Sequence, residues 1–455
     1  MRLGRLPGVL AVGCAVVFSA VPSALPTTAE TSSVRRMPSA IPATAGHLTR
    51  LDASAPMSTR QCRTRMQQDC YGPRQYQIAY DLRRLYRRGI DGAGRTIVII
   101  DSYGSPTVQH DLNVFDTQYD LPSTTVEVHK WGRVPGFNPR NEDMDGWAGE
   151  TALDVEYAHA IAPAAHIELI ETGTSEQEGT SGFPQMMDAM AHLHGQGDVV
   201  SLSLGATEDT FAQQAHRAGD YRLLTGLRYG LEAAAAQHTT VVAAAGDNGA
   251  TDDELNGKTL FRRPEVGWPA SDPLVTGVGG TRLYLNDNGR RTVPDRVWND
   301  GDAGGAAGGG VSRVFGRPAF QHAVAGTTGG HRGVPDVSMS ASPDGGAWVY
   351  ESYDPAHSGW DITGGTSQAT PMFAGVVALA DQAAGTRVGD LNPALYRLAP
   401  GGRTHGVVDV TAGANGANGV RGYRAAPGYD LASGCGTIDG YRFVTTLAAT
   451  LHTTH

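Results

Sequence analysis

Residues 96–106 read TIVIIDSYGSP, a short β-branched run that breaks into a turn of Ser, Gly and Pro. A short run of this kind, largely apolar and stopped by turn residues, predicts a buried strand. Three further runs have the same form: HIELIE at 166–171, DVVSLSLG at 198–205 and TTVVAAAGDNG at 239–249. Between and around them lie segments of helical spacing, GPRQYQIAYDLRRLYRRG at 72–89, ETALDVEYAHAIA at 150–162 and RLLTGLRYGLEAAAAQH at 222–238. Short buried strands alternating with helices predict an α/β protein, a doubly wound, mostly parallel sheet with helices on both faces. In such a sheet the loops leaving the carboxyl ends of the strands build the site, so the residues just after each run are the ones that matter.

The chain has 455 residues, 40% of them hydrophobic and 18% charged, with 60 glycines, which describes a loop-rich globular protein and not a fibrous or disordered one. A formal net charge of -10 with no basic block argues against nucleic acid and anionic membrane as partners. Arg2 and Arg5 precede a short apolar run at 8–21 and then small residues up to Ala29, the layout of a secretory signal peptide over 1–29. That run is too short to span a bilayer, and nothing later reaches the ~20 apolar residues a span requires. Cys14 reads as an ordinary residue of the signal. Residues 30–69 are expected to form a flexible leader or short propeptide, with ordered structure beginning near Cys70. Cys62 and Cys70 are close enough to pair in an oxidising compartment, leaving Cys435 a buried free thiol.

Three segments carry chemistry. In GGTSQATPMFAGVVALA, 364–380, Ser367 follows two glycines and opens a helical run. A serine there meets the free N–H groups and positive end of the helix, which favour a developing oxyanion, and its hydroxyl is expected to be exposed. The plain alternative is a helix cap. A histidine base of the subtilisin kind is missing, since His110 in VQHDLN lacks a following Gly and Thr, although Asp101 imitates a triad aspartate. In GWAGETALDVEYAHAIAP, 146–163, Glu150 and Asp154 stand four apart on one helix face. Two close carboxylates cannot ionise independently, so one holds a proton; the alternative is a solvated acidic face. Asp247 follows a strand in a Gly-Asp-Asn-Gly turn, where a protonated acid could donate a hydrogen bond.

With these segments in view, residues 70–445 resemble the sedolisin family of serine-carboxyl peptidases. The likeness extends through WPASDPLVTGVGGT, GGGVSRVF, RGVPDVSMSA and GYDLASGCG in family order. It implies a subtilisin-like fold in a single catalytic domain at 70–455 and endopeptidase action on polypeptides in acid. It further implies Ser367 as nucleophile, Glu150 as general base, Asp154 as its orienting partner and Asp247 as the oxyanion-hole acid. Ser203, Leu204 and Gly205 would bind substrate backbone as an edge strand. One structural Ca²⁺ would be held by Asp409, Val410, Ala426, Gly428 and Asp430, an oxygen set suited to a hard cation. Asp101 and Leu204 stand where many members have glutamate and tryptophan. The protein is expected to be secreted and monomeric; the competing readings are a histidine-dependent subtilisin-like peptidase and an inactive peptide-binding homologue.

Overall fold

The computed structural model describes residues 34–36, 47–53, 55–175, 179–193, 195–302, 304–354 and 358–452. The signal-peptide reading of 1–29 falls outside them. From the leader come β1 (His47–Ala53) and α1 (Thr59–Arg65), followed by β2 (Thr96–Ser102) and β3 (Val126–Trp131). The long helix α2 (Glu142–Ile161) leads to β4 (His166–Thr172), and α3 (Phe183–Ala191) leads to β5 (Val199–Leu202). Then come α4 (Tyr229–Ala236), β6 (Thr240–Ala244), β7 (Thr276–Arg282), β8 (Arg296–Val297) and β9 (Val337–Ser340). Near the end of the chain lie β10 (Gly346–Glu351), β11 (Gly359–Thr363) and α5 (Thr366–Ala384).

The main sheet runs in the order β8-β7-β6-β5-β2-β4-β3, with β9 added beside β7. Every neighbour pair in it is parallel except β7 with β8. Because side chains alternate along a strand, the apolar residues of these runs feed two cores. Ile97, Ile99, Ile167, Leu169, Val199 and Val242 pack on one face with α2 and α5. Val98, Ile100, Val200, Leu202, Val241 and Ala243 pack on the other with α3 and α4. The expected doubly wound α/β sheet with helices on both faces is therefore present, and its carboxyl edge brings 101–105, 203–205 and 245–249 to one side.

Two expectations change. Residues 72–89 form two helices, Pro73–Ala79 and Arg83–Tyr86, with Asp81 between them at a φ of 54°. Ordered structure also starts ahead of Cys70. β1 pairs antiparallel with β11, and α1 is closed by a capping box of Ser58 with Gln61. The flexible reading of 30–69 changes only for its described part: backbone pairing with a strand far along the chain orders β1, and the capping box closes α1. Cys62 and Cys70 form a disulfide, and Cys435 is a free, buried thiol.

Candidate active site

Helix α2 starts earlier than its apolar pattern, because Asn141 caps it by accepting from the N–H groups of Asp143 and Met144 at 3.0 and 3.4 Å. The helix lies under the sheet with Leu153 and Ala158 in the core. Glu150 and Asp154 are not on a solvated face: they are 2% and 0% exposed. Burial pushes both carboxyls well above the usual carboxylate range, and Asp101 raises them further. Asp101, at the end of β2, is itself raised to about 7, first by burial, against the hydrogen bond it accepts from Thr151 Oγ1 at 2.9 Å. The expected pair is thus a group of three carboxyls.

Ser203 connects this group to α5. Its hydroxyl bonds Asp154 Oδ1 at 2.7 Å, and it also hydrogen-bonds Glu150. The same hydroxyl lies 3.3 Å from the carbonyl oxygen of Ser367. That carbonyl is available for a local reason: its helical partner would be the N–H of residue 371, which is a proline. The Ser367 side chain hydrogen-bonds Glu150. It is 0% exposed, so the exposed hydroxyl expected from the glycines is corrected; the side chain turns inward onto the carboxyl group of α2.

Asp247 approaches from the loop after β6. Its Oδ1 accepts both the N–H and the hydroxyl of Thr366, each at 2.8 Å, while the Thr366 hydroxyl accepts from Gly246 N–H at 3.1 Å. Gly246 and Gly365 have φ of 108° and 110°, a left-handed region that a side chain would strain, and these two residues let the loops meet this closely. Burial raises Asp247 to about 7, with the Thr366 bonds opposing and Asp252 adding to the shift. Oδ2 is buried without a protein partner, so a protonated Asp247 has a free O–H to donate.

Ser203, Leu204 and Gly205 follow β5 as irregular backbone and not as an edge strand, because β5 is interior to the sheet. Ser203 faces the carboxyls and Leu204 is packed in the second core. Sequence reasoning missed the parts played by Thr366, Thr151 and the Ser203 side chain; the GTS turn and the polar residue ending the β5 run were the available signals. Histidines stand elsewhere: His110 is exposed beside Tyr350, and His159 contacts Asp116 and Pro122. None acts on Glu150, Asp154 or Asp247 among the described residues.

The residues expected to hold calcium also converge. Asp409 Oδ2 accepts from Gly428 N–H at 2.8 Å, and Asp430 accepts from the N–H groups of Ala426, Ala432 and Ser433, each at 2.9 Å. Ser433 Oγ lies 3.5 Å from the Val410 carbonyl, tying the two segments together. Burial raises Asp430, and neither aspartate has a basic partner among the described residues. Two carboxylates with neighbouring carbonyls and no ion-pair partner fit a hard dication.

Residues 141–397 match the profile of the subtilase family. The chain is 35% identical over 371 residues to kumamolisin of Bacillus sp. (strain MN-32), covering 80% of this chain and 61% of that protein. It is 31% identical over 353 residues to sedolisin of Pseudomonas sp. (strain 101), covering 76% and 57% respectively. The chain thus spans about three fifths of the length of these relatives. The structure of Pseudomonas sedolisin, a serine-carboxyl proteinase complexed with two molecules of pseudo-iodotyrostatin, superposes with a TM-score of 0.69 at 27% identity, over 85% of this chain and 99% of that one. A match across more than half the chain, together with these likenesses in the sheet and helices that carry the three carboxyls and Ser367, leads to one conclusion: the chain belongs to the sedolisin group of the subtilase family.

Proposed function

We propose that the protein is a secreted serine endopeptidase that cuts polypeptides in acid through an acyl-enzyme on Ser367. The observation that carries this reading is the hydrogen bond from Ser367 to Glu150, a buried carboxyl with a raised pKa in the place a histidine base would take. Glu150 accepts the hydroxyl proton as Ser367 Oγ attacks the scissile carbonyl, and Asp154 and Asp101 share the proton inventory of the group. The proton then passes from Glu150 to the leaving amine. Water enters next: its oxygen bonds to the acyl carbon as Glu150 takes a proton from it, and the acyl bond to Ser367 breaks as Glu150 returns that proton to Ser367 Oγ, freeing the product acid. Protonated Asp247 donates from Oδ2 to the oxyanion, held in aim by its double bond to Thr366.

Ser203, Leu204 and Gly205 are proposed to line the substrate path, and a monomer suffices because every group named lies in one chain. A calcium ion bound by Asp409, Asp430 and the carbonyls of Val410, Ala426 and Gly428 would contribute charge neutralisation in the C-terminal loops and no chemistry at Ser367. Export rests on the Arg2, Arg5 and 8–21 pattern and agrees with the Cys62–Cys70 disulfide. Among the described residues no helix is long and apolar enough to cross a membrane.

The test is hydrolysis of an acid-denatured protein, with product peptides identified by mass. Internal cleavage is expected, lost in Ser367→Ala and nearly lost in Glu150→Gln, since an amide cannot accept the serine proton. Turnover retained in Glu150→Gln would restore the histidine-dependent reading. An inert wild-type chain that still binds peptides would favour the peptide-binding homologue.

A further inference from the structure

A second group of ionisable side chains lies at the opposite end of the sheet, near the start of β4 and on the edge strand β3. In the parallel register Glu127 stands directly opposite Glu168, and the alternation of the pleat puts His129 and His166 on the same face. His166 Nε2 lies 3.1 Å from Glu127 Oε2 and 3.9 Å from Glu168 Oε1, and the ligand atoms of these three residues all fall within 4.8 Å of one another. His129 Nε2 is 3.2 Å from the other Glu127 oxygen, Oε1. Glu127 and His166 are about half exposed, whereas Glu168 is nearly buried beneath them.

Two carboxylates facing each other across neighbouring strands repel. Imidazoles offset that repulsion only while protonated, whereas a dication offsets it whatever their state and uses neutral imidazole as a ligand. The spacing fits a small ion. Tetrahedral zinc with bonds of about 2.0–2.1 Å to nitrogen and oxygen requires ligand atoms roughly 3.3 Å apart. The two distances made by His166 bracket that value, so rotation of the exposed Glu127 and His166 side chains over the nearly buried Glu168 closes the site. Mixed imidazole and carboxylate donors select a late first-row dication over calcium or magnesium, which prefer oxygen alone.

We infer that Glu127, His166 and Glu168, with solvent completing the shell, form a binding site for zinc(II) or a similar transition dication that clamps the edge strand β3 to β4. The ligands sit near the amino end of β4, away from Ser367 and its carboxyls at the carboxyl edge, so the ion stabilises the fold and takes no part in hydrolysis. It also restrains an edge strand whose outer N–H and C=O groups are open to pairing with other chains.

The test uses the full chain, stripped of metal, resupplied with excess calcium and titrated with zinc near neutral pH. Expected are one zinc bound per chain by equilibrium dialysis, a rise in Tm with zinc, and an X-ray absorption shell of nitrogen and oxygen with imidazole scattering. His166→Ala and Glu127→Gln alter exposed residues and should keep the wild-type circular dichroism while weakening zinc binding about tenfold or more. Wild-type chain that binds no zinc overturns the inference, as does zinc binding at unchanged affinity in both variants.

Discussion

Thr366 gives both its backbone N–H and its hydroxyl to a single oxygen of Asp247, at 2.8 Å each, leaving the other oxygen of that carboxyl buried and free. The residue before Ser367 therefore fixes the orientation of that carboxyl. A carboxyl restrained at one oxygen and raised to about 7 by burial carries its proton on the free oxygen below that pH.

Asp247→Ala should lower kcat by on the order of 10²–10³ with little change in KM, the usual cost of losing one oxyanion donor. The pH dependence gives the sign: activity in the wild type should fall as pH rises through about 7, where Asp247 ionises. In Asp247→Asn an amide donates at every pH, so that limb should flatten. Kinetics of the variants across pH check this, and an unaltered alkaline limb in Asp247→Asn would remove Asp247 from the oxyanion hole.

Ser203→Ala should separate positioning from mere packing. The hydroxyl bonds Asp154 and Glu150 and lowers both carboxyls against the larger effect of burial. Without it both rise further, so the acid limb of the kcat profile should move to higher pH, while a leftover unpaired carboxyl costs about 1–3 kcal/mol of stability. Loss of stability with a stationary acid limb would make Ser203 only structural.

Stability should itself favour acid. Asp101 and Asp247 at about 7 and Asp252 at about 6 are all raised by burial above an unfolded value of about 3.9. Each group binds its proton more tightly when folded, so its contribution is complete below about pH 4 and is lost as pH rises toward 7. Every tenfold tightening of proton binding is worth roughly 1.4 kcal/mol before the interaction between neighbouring carboxyls is considered. Thermal unfolding of the Ser367→Ala chain in excess calcium should give a higher Tm at pH 4 than at pH 7. The reverse order would contradict the burial of these carboxyls as protonated acids.

Calcium removal should lower Tm at fixed pH. An ion present at about 100 times its Kd stabilises by about 2.7 kcal/mol, and chelation removes that share. Asp430→Asn keeps the shape of the turn but withdraws a charge, so its Tm should respond less to calcium. A wild-type Tm unchanged by chelator, with no calcium in elemental analysis, would refute the site.

The amino-acid sequence alone determined the strands at 96–102, 166–172, 199–202 and 240–244, the helix carrying Glu150 and Asp154, and the helix opened by Ser367. These rest on local periods and turn residues, which act over a few positions and can be read in order along the chain. It also pointed to Asp247, because a polar residue just beyond a buried strand has to lie at the sheet's carboxyl edge. Only the tertiary structure decided that Asp101 joins the pair on α2, that Ser203 bridges it to Ser367, and that Thr366 holds Asp247. Those relationships link segments tens to more than a hundred residues apart, and no local period encodes them. Burial was equally illegible: whether an acidic helix face is solvated or sealed depends on what packs over it, and that desolvation is what raises Glu150, Asp154 and Asp247 above the usual carboxylate range.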